Sequence, residues 1–155
     1  MLVIIWMSVM FWFSNQQGIG SSSTSKKVSE IIVNIIDINK QYSDTQKEEI
    51  IEVIEPIIRK LAHYTFYAIG GILIANCVYQ FCSEEKRVIA ISAIIGIAYA
   101  ASDEIHQLMV PGRSGNIKDI MIDSIGVLTG IALFLLVKEI IKIMLAKFKK
   151  AKEVE

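Results

Sequence analysis

The chain has 155 residues, of which 53% are apolar, and its 16 basic and 16 acidic side chains give a formal net charge of zero. We expect a single domain over residues 1–155 from this length. A neutral chain has no excess of basic side chains for nucleic acid, so a nucleic-acid partner is not predicted. The apolar residues are gathered in long runs, which favours a membrane protein.

The first predicted element is a short apolar helix at the N-terminus. The run from Leu2 to Phe13 makes only about 18 Å of helix, which is less than the thickness of a bilayer. It lacks the basic segment and the A-x-A-like cleavage site of a signal peptide. We therefore predict a short first span over residues 2–16 that continues past Ser14, unless translation starts further upstream.

A polar loop region over residues 17–55 follows and carries two predicted amphipathic helices. In the first helix, valine and isoleucine recur at helical spacing over residues 28–36, and Ser25 is the predicted N-cap. Such helices either lie on the membrane surface or pack on the rest of the domain.

The second amphipathic helix is predicted from a start signal and an isoleucine stripe. Thr45 and Glu48 have the spacing of a capping box, and isoleucines follow at helical spacing from Ile50 to Ile58. Pro56 is expected in the first turn of the next helix, where proline is tolerated. A helix boundary is therefore expected close to residue 56.

Three longer apolar segments follow, over residues 56–81, 87–107 and 118–138, and a spanning helix needs roughly 20 such residues. The predicted fold class is all-α, an integral membrane bundle of about four transmembrane helices. An amphipathic helical extracytoplasmic loop region joins spans one and two. Cys77 and Cys82 would face different sides of one helix, so no disulfide between them is expected.

The distribution of basic residues predicts the orientation of the bundle. Lys86 and Arg87 lie in the short turn between spans two and three, and the tail over residues 139–155 is rich in lysine. Short basic segments stay on the cytoplasmic side of a membrane. With four spans, both termini are then cytoplasmic.

In this topology, three spans bring polar side chains to one outer level of the membrane. Span two begins at this level, span three ends at it, and span four begins at it. The candidate site comprises Lys60, His63, Tyr67, Asp103, Glu104, Gln107, Arg113, Asp119 and Asp123. Along span four, Gly126 and Gly130 form a G-x-x-x-G pattern, which suits close approach of a second helix.

The cluster has four carboxylates but only three basic side chains, which are Lys60, Arg113 and Lys118. Charges next to hydrocarbon are costly unless they are paired. We therefore expect Lys60 to pair with Asp103 or Asp119. The surplus carboxylate is expected to keep a proton, face water or meet a bound cation.

No metal or cofactor is predicted for this chain. Its two histidines, His63 and His106, do not form the H-E-x-x-H pattern of zinc enzymes. His63 is expected to act as a hydrogen-bonding partner and not as a metal ligand.

The segments "RKLAHYTFYAIGG", "SDEIHQLMVPGRSGNIKD" and "DSIGVLTG" resemble the VanZ-like membrane proteins. The resemblance covers roughly residues 8–135 and rests on the joint K-x-x-H and D-E-x-x-Q-x(5)-R pattern. The matching positions are Arg59, Lys60, His63, Tyr67, Asp103, Glu104, Gln107, Arg113, Asp119, Gly126 and Gly130. The chain departs from the family at Asp123, where the family usually has asparagine. The resemblance implies a small multi-span protein of the bacterial plasma membrane, of a family best known for low-level teicoplanin resistance.

Two functions remain open at this point. In the first, an outer-facing polar pocket binds or protects an amphiphilic envelope molecule, such as a lipid-linked cell-wall intermediate, a phospholipid or the antibiotic, with Lys60 and Arg113 taking its phosphate or carboxylate. In the second, the protein is a membrane-embedded enzyme that acts on an envelope lipid. Its general base would be His63 or a carboxylate among Asp103, Glu104 and Asp123. We favour binding, since no serine or cysteine nucleophile is evident in the cluster, and an ion-pair network that only locks the helices is the structural alternative.

Overall fold

The computed structural model describes residues 1–15, 18–37, 41–111 and 116–152, with the backbone alone for 18–23, 150 and 151. Every regular element in these ranges is an α-helix, which confirms the predicted all-α class. The five helices are α1 (Leu2–Ser14), α2 (Gly18–Ile36), α3 (Asp44–Phe81), α4 (Glu85–Gln107) and α5 (Ile117–Lys152).

Three of these helices are long and apolar enough to cross a membrane. They are α3, α4 and the part of α5 that ends at Lys149. The N-terminal helix α1 is apolar as well, but it has only 13 residues and ends at Ser14, two residues before the predicted end of the first span. The described part of the chain therefore contains three helices of spanning length and one shorter apolar helix.

Helices α3 and α5 form the closest contact of the bundle and run in the same direction. A side chain at Gly130 would overlap the backbone carbonyl oxygen of Ala68, and a side chain at Gly126 would overlap that of Tyr64. On the opposing helix, Gly71 meets the backbone of Val127 in the same way. The predicted role of Gly126 and Gly130 in close helix approach is confirmed, because only glycine leaves room for the facing backbone.

The short helix α1 is held against α3 and α4 by its tryptophan. The Trp6 ring fills the space left by Gly70, and its Nε1–H donates a hydrogen bond of 3.0 Å to the Phe66 carbonyl oxygen. From α4, the Tyr99 hydroxyl donates to the Met7 carbonyl oxygen at 2.7 Å. These bonds anchor an apolar helix that is too short to be stable alone in water.

Helices α2 and the first half of α3 form an antiparallel hairpin. The Ser25 hydroxyl donates to Glu55 at 3.0 Å near one end of the hairpin, and Lys47 pairs with Asp37 at 2.7 Å near the other end. Asp37 also accepts backbone N–H groups of the following turn. The ammonium group of Lys47 and these N–H donors hold the pKa of the Asp37 carboxyl below its usual range.

Three predictions about this hairpin are wrong. The capping box is formed by Ser43 and Gln46, whose side chains each accept the backbone N–H of the other residue. This box lies two residues earlier than the predicted pair of Thr45 and Glu48. Ser25 is not an N-cap, because α2 begins seven residues earlier and the Ser25 hydroxyl reaches across to α3.

The third correction is that no helix boundary occurs at Pro56. The predicted second amphipathic helix and span two are one continuous helix, with Pro56 in its interior. A proline there removes one backbone hydrogen bond and normally costs about 3 kcal/mol. Contacts with α2 before the proline and with α5 after it stabilise the helical backbone on both sides.

The basic residues of the tail lie at the C-terminal end of α5, next to the turn between α3 and α4. The helix α5 continues beyond the predicted span over residues 118–138 to Lys152. Lys138 pairs with Glu85 at 3.1 Å and lies over the ring of Tyr79. Cys77 and Cys82 are both free, as expected from their spacing.

Replacing Gly130 by alanine tests the close approach of α3 and α5. In an uncrowded helix, alanine is favoured over glycine by up to about 1 kcal/mol. Because a methyl group would overlap the Ala68 carbonyl, we expect Gly130→Ala to lower the unfolding free energy by about 1–3 kcal/mol. Thermal unfolding of the purified protein in detergent measures the change, and an unchanged or higher melting temperature would contradict the contact.

Candidate functional site

The predicted polar residues that the structure describes meet at the end of the bundle where α3 enters it, α4 ends and α5 begins. This convergence follows from the direction of the helices, since α3 and α5 run parallel in close register and α4 runs antiparallel to both. Two charged contacts join α3 to α5, and one hydrogen bond joins the end of α4 to the start of α5.

The first charged contact is an ion pair between Lys60 and Asp119. The Lys60 Nζ lies 3.2 Å from Asp119 Oδ1, and their side chains are 44% and 35% exposed. Of the two predicted partners of Lys60, the structure selects Asp119. The carboxylate also lies in the first turn of α5, where the positive end of the helix dipole favours a negative charge.

The second contact joins His63 and Asp123, and it lies deeper in the bundle. The His63 Nδ1 is 3.8 Å from Asp123 Oδ2, which is an ion-pair distance if the imidazole is protonated but too long for a hydrogen bond. Asp123 is only 2% exposed. Among the described residues, His63 is therefore the ion-pairing partner available to the buried carboxylate of Asp123.

Asp103, Gln107 and Tyr67 form the buried part of the cluster. The Gln107 Nε2 donates to Asp103 Oδ2 at 3.0 Å, as their i, i+4 spacing on α4 allows. Tyr67 is fully buried, and its hydroxyl lies near the carboxylates of Asp103 and Asp123. Among the described residues this hydroxyl has no hydrogen bond of good geometry.

Glu104 has a structural partner. Its carboxylate accepts the backbone N–H of Asn116, and the Asn116 side chain in turn accepts the Lys118 N–H at 3.0 Å at the start of α5. Glu104 thus ties the end of α4 to the cap of α5. This contact was not expected from the sequence, because it joins a side chain to the backbone of a loop.

Two other polar residues are not part of the cluster that the structure describes. Arg113 lies in 112–115, outside the described residues. His106 stacks on Phe11 of α1, with ring centroids 4.6 Å apart. Within the ranges that the structure describes, no group of three His, Cys, Asp or Glu side chains is arranged to hold a metal ion.

Sequence reasoning missed two residues that lie beside the cluster. Ser14 and Arg59 line a cavity that is also bordered by His63, on the side of α3 that faces α1 and α2. Arg59 is one of the positions that match the VanZ-like proteins, and Ser14 lies within the range that the resemblance covers, so a signal was present. Their proximity could not be inferred, because it depends on where α1 packs.

These observations define a small helical membrane protein with a cluster of ionisable side chains at one end of its bundle. The model of the VanZ/LLP1 family matches residues 1–138, so the chain belongs to the VanZ/LLP1 family. This match confirms the resemblance seen in the sequence. Comparison with curated proteins and with solved structures found no match.

A charge reversal tests the pairing of Lys60. Because the pair is about half exposed, its two charges are expected to couple by only about 0.2–1 kcal/mol. Lys60→Asp should lower thermal stability, and Asp119→Lys in the same chain should recover part of the loss. Asp103→Lys should not recover it, because Asp103 is buried against Gln107. Equal stability of the Lys60→Asp single variant and the double variant with Asp119→Lys would show that these side chains do not interact.

Proposed function

We propose that the protein binds or protects an amphiphilic molecule of the bacterial cell envelope, in connection with glycopeptide resistance of the teicoplanin type. The observation that carries this proposal is the burial of Asp123 and Asp103, which are 2% and 4% exposed, at the end of an apolar bundle. Ionisable groups within membrane helices are costly and usually functional. A cluster needed only to hold the helices together would not require two buried carboxylates, because apolar packing does so more cheaply.

An enzyme is the second candidate, and the contact between His63 and Asp123 favours it. A carboxylate beside an imidazole orients a general base in many hydrolases. Ser14 lies on the same cavity as His63 and would be a candidate hydroxyl nucleophile. However, its Oγ has no hydrogen-bond partner in the described part of the chain, so a nucleophile and base are not paired. Binding is therefore the better supported function.

The proposed orientation places the polar cluster on the outer side of the cytoplasmic membrane, with both termini inside and α1 as a short first span. The position of α1 supports this assignment, because α1 lies along α3 from Gly70 to His63 and its outward side chains are apolar. Lys86, Arg87 and the α5 lysines from Lys138 onward lie at the opposite end, which the positive-inside rule assigns to the cytoplasm.

Binding is tested with the purified protein in nanodiscs against envelope lipids and teicoplanin. We expect at least one of these ligands to bind, and His63→Ala to weaken the binding about tenfold, as for loss of a charged hydrogen bond. The matched control is His106→Ala, which removes the chain's other histidine from its contact with Phe11. Equal affinity of wild type and His63→Ala would show that the polar cluster is not part of the binding site. Product formation from a labelled envelope lipid would favour the enzyme.

Cysteine labelling tests the orientation. Met109 is 75% exposed after α4, and Ser83 is exposed between α3 and α4. In a chain without Cys77 and Cys82, Met109→Cys should react with an impermeant maleimide in intact cells. Ser83→Cys should react only after lysis. The opposite pattern would place the polar cluster on the cytoplasmic side.

A further inference from the structure

A partly open cavity of about 170 Å³ lies between α1, α2 and α3, on the side of α3 away from α5. Its walls are mostly apolar and include Met10, Phe13, Val28, Ala62 and Phe66. The α3 residues on this wall recur at helical spacing and face away from Lys60 and its partner on α5. The cavity is therefore distinct from the ion pairs of the polar cluster, although His63 borders both.

Two polar groups on the cavity wall lack a partner among the described residues. Arg59 is exposed, and none of these residues forms an ion pair or a hydrogen bond with it. Glu55, one helical turn earlier, is bound instead to the Ser25 hydroxyl. Ser14 is only 2% exposed, and its Oγ has no hydrogen-bond partner within the described ranges. A buried hydroxyl without a partner is costly in a folded protein.

The size of the cavity limits what it can hold. A cavity of about 150 Å³ lined by apolar side chains accommodates benzene. The present cavity therefore takes about six carbon atoms, which is a segment of a hydrocarbon chain and not a complete lipid or a glycopeptide. Arg59 and Phe66 mark its length along α3, and about 10 Å of helix separates them.

We infer that this cavity is a lipid-binding site, in which a segment of an alkyl or prenyl chain lies against Phe13, Ala62 and Phe66 while the phosphate of the same lipid pairs with Arg59. The inference rests on the proposed function and assigns it a site and a ligand class. A guanidinium group binds phosphate through two parallel hydrogen bonds, and Arg59 has no competing carboxylate partner among the described residues. The apolar wall supplies the remaining affinity by burying the chain.

The assignment favours a phosphate-bearing lipid over the antibiotic for two reasons. The cavity holds only a chain segment, so the ligand must have its charged group within about one to two helical turns of that segment. A membrane lipid has its phosphate at this distance from its chain, and such lipids surround the bundle at high concentration. Binding of the antibiotic at this cavity is therefore one of the outcomes that the experiment distinguishes.

Photocrosslinking with dodecyl phosphate that carries a diazirine in its chain tests the site in zwitterionic nanodiscs. We expect crosslinks in the segments from Met10 to Ser14 and from Ala62 to Phe66. Arg59→Gln should reduce the crosslinking yield at limiting probe about tenfold, as expected for loss of a charged hydrogen bond. Ala62→Phe should fill the cavity and abolish the crosslinks. Dodecyl glucoside with the same diazirine should crosslink weakly, and Arg59→Gln should not change its yield.

Two matched variants control for charge and for size. Lys27→Gln removes an exposed basic side chain of α2 that lies outside the polar cluster and does not line the cavity, and Ala132→Phe makes the same size change on the exposed face of α5. Neither should alter the crosslinking. Arg59→Gln changes an exposed side chain, so this variant remains informative if Ala62→Phe fails to fold.

Equal yields for the phosphate and glucoside probes, or no effect of Arg59→Gln, would overturn the phosphate assignment. If dodecyl phosphate gives no crosslinks and Ala62→Phe abolishes teicoplanin binding, the cavity binds the antibiotic and the lipid assignment is overturned. If these variants have no effect while binding in nanodiscs still depends on His63, the cavity assignment fails and the proposed function stands. If the wild type binds none of the ligands in either experiment, both fail.

Discussion

The close contact of α3 with α5 is the constraint on which the rest of the structure depends. Gly126 and Gly130 let the α5 backbone reach the carbonyl groups of α3, and this contact sets the register of the two parallel helices. In that register Lys60 faces Asp119 and His63 faces Asp123. Larger residues at the glycines would move the helices apart and separate both charged pairs. The polar cluster is therefore a consequence of apolar packing as much as of electrostatics.

Arg59 and Lys60 are adjacent in sequence and have opposite surroundings. Lys60 is turned towards α5, where it forms an ion pair, whereas Arg59 is turned towards α1 and α2 and borders the cavity. Adjacent residues on a helix are separated by about 100°, so neighbouring cations can serve two different faces. His63 lies between these faces. It is the side chain through which occupancy of the cavity would affect the buried carboxylate of Asp123.

Much of the bundle could be predicted because its signals are local or periodic. Apolar length identified α3, α4 and α5, and the G-x-x-x-G pattern of Gly126 and Gly130 identified the face of α5 that approaches another helix. The contacts that escaped prediction join distant parts of the chain or involve backbone groups. Glu104 binds a loop N–H, and Ser14 lines the same cavity as Arg59 only because Trp6 fixes α1 on Gly70. Pro56 failed as a boundary signal because helix packing on both sides outweighed the lost hydrogen bond.

The unbroken course of α3 has a geometric consequence for the hairpin. Its 38 residues make about 57 Å of helix, whereas the hydrocarbon core of a bilayer is about 30 Å thick. Tilting alone would require about 58°, beyond the range of about 0–40° found for transmembrane helices. A substantial part of α3 must therefore stand clear of the lipid, braced by α2 through Ser25 and Asp37. The length of this single continuous helix therefore sets how far the hairpin extends from the membrane surface.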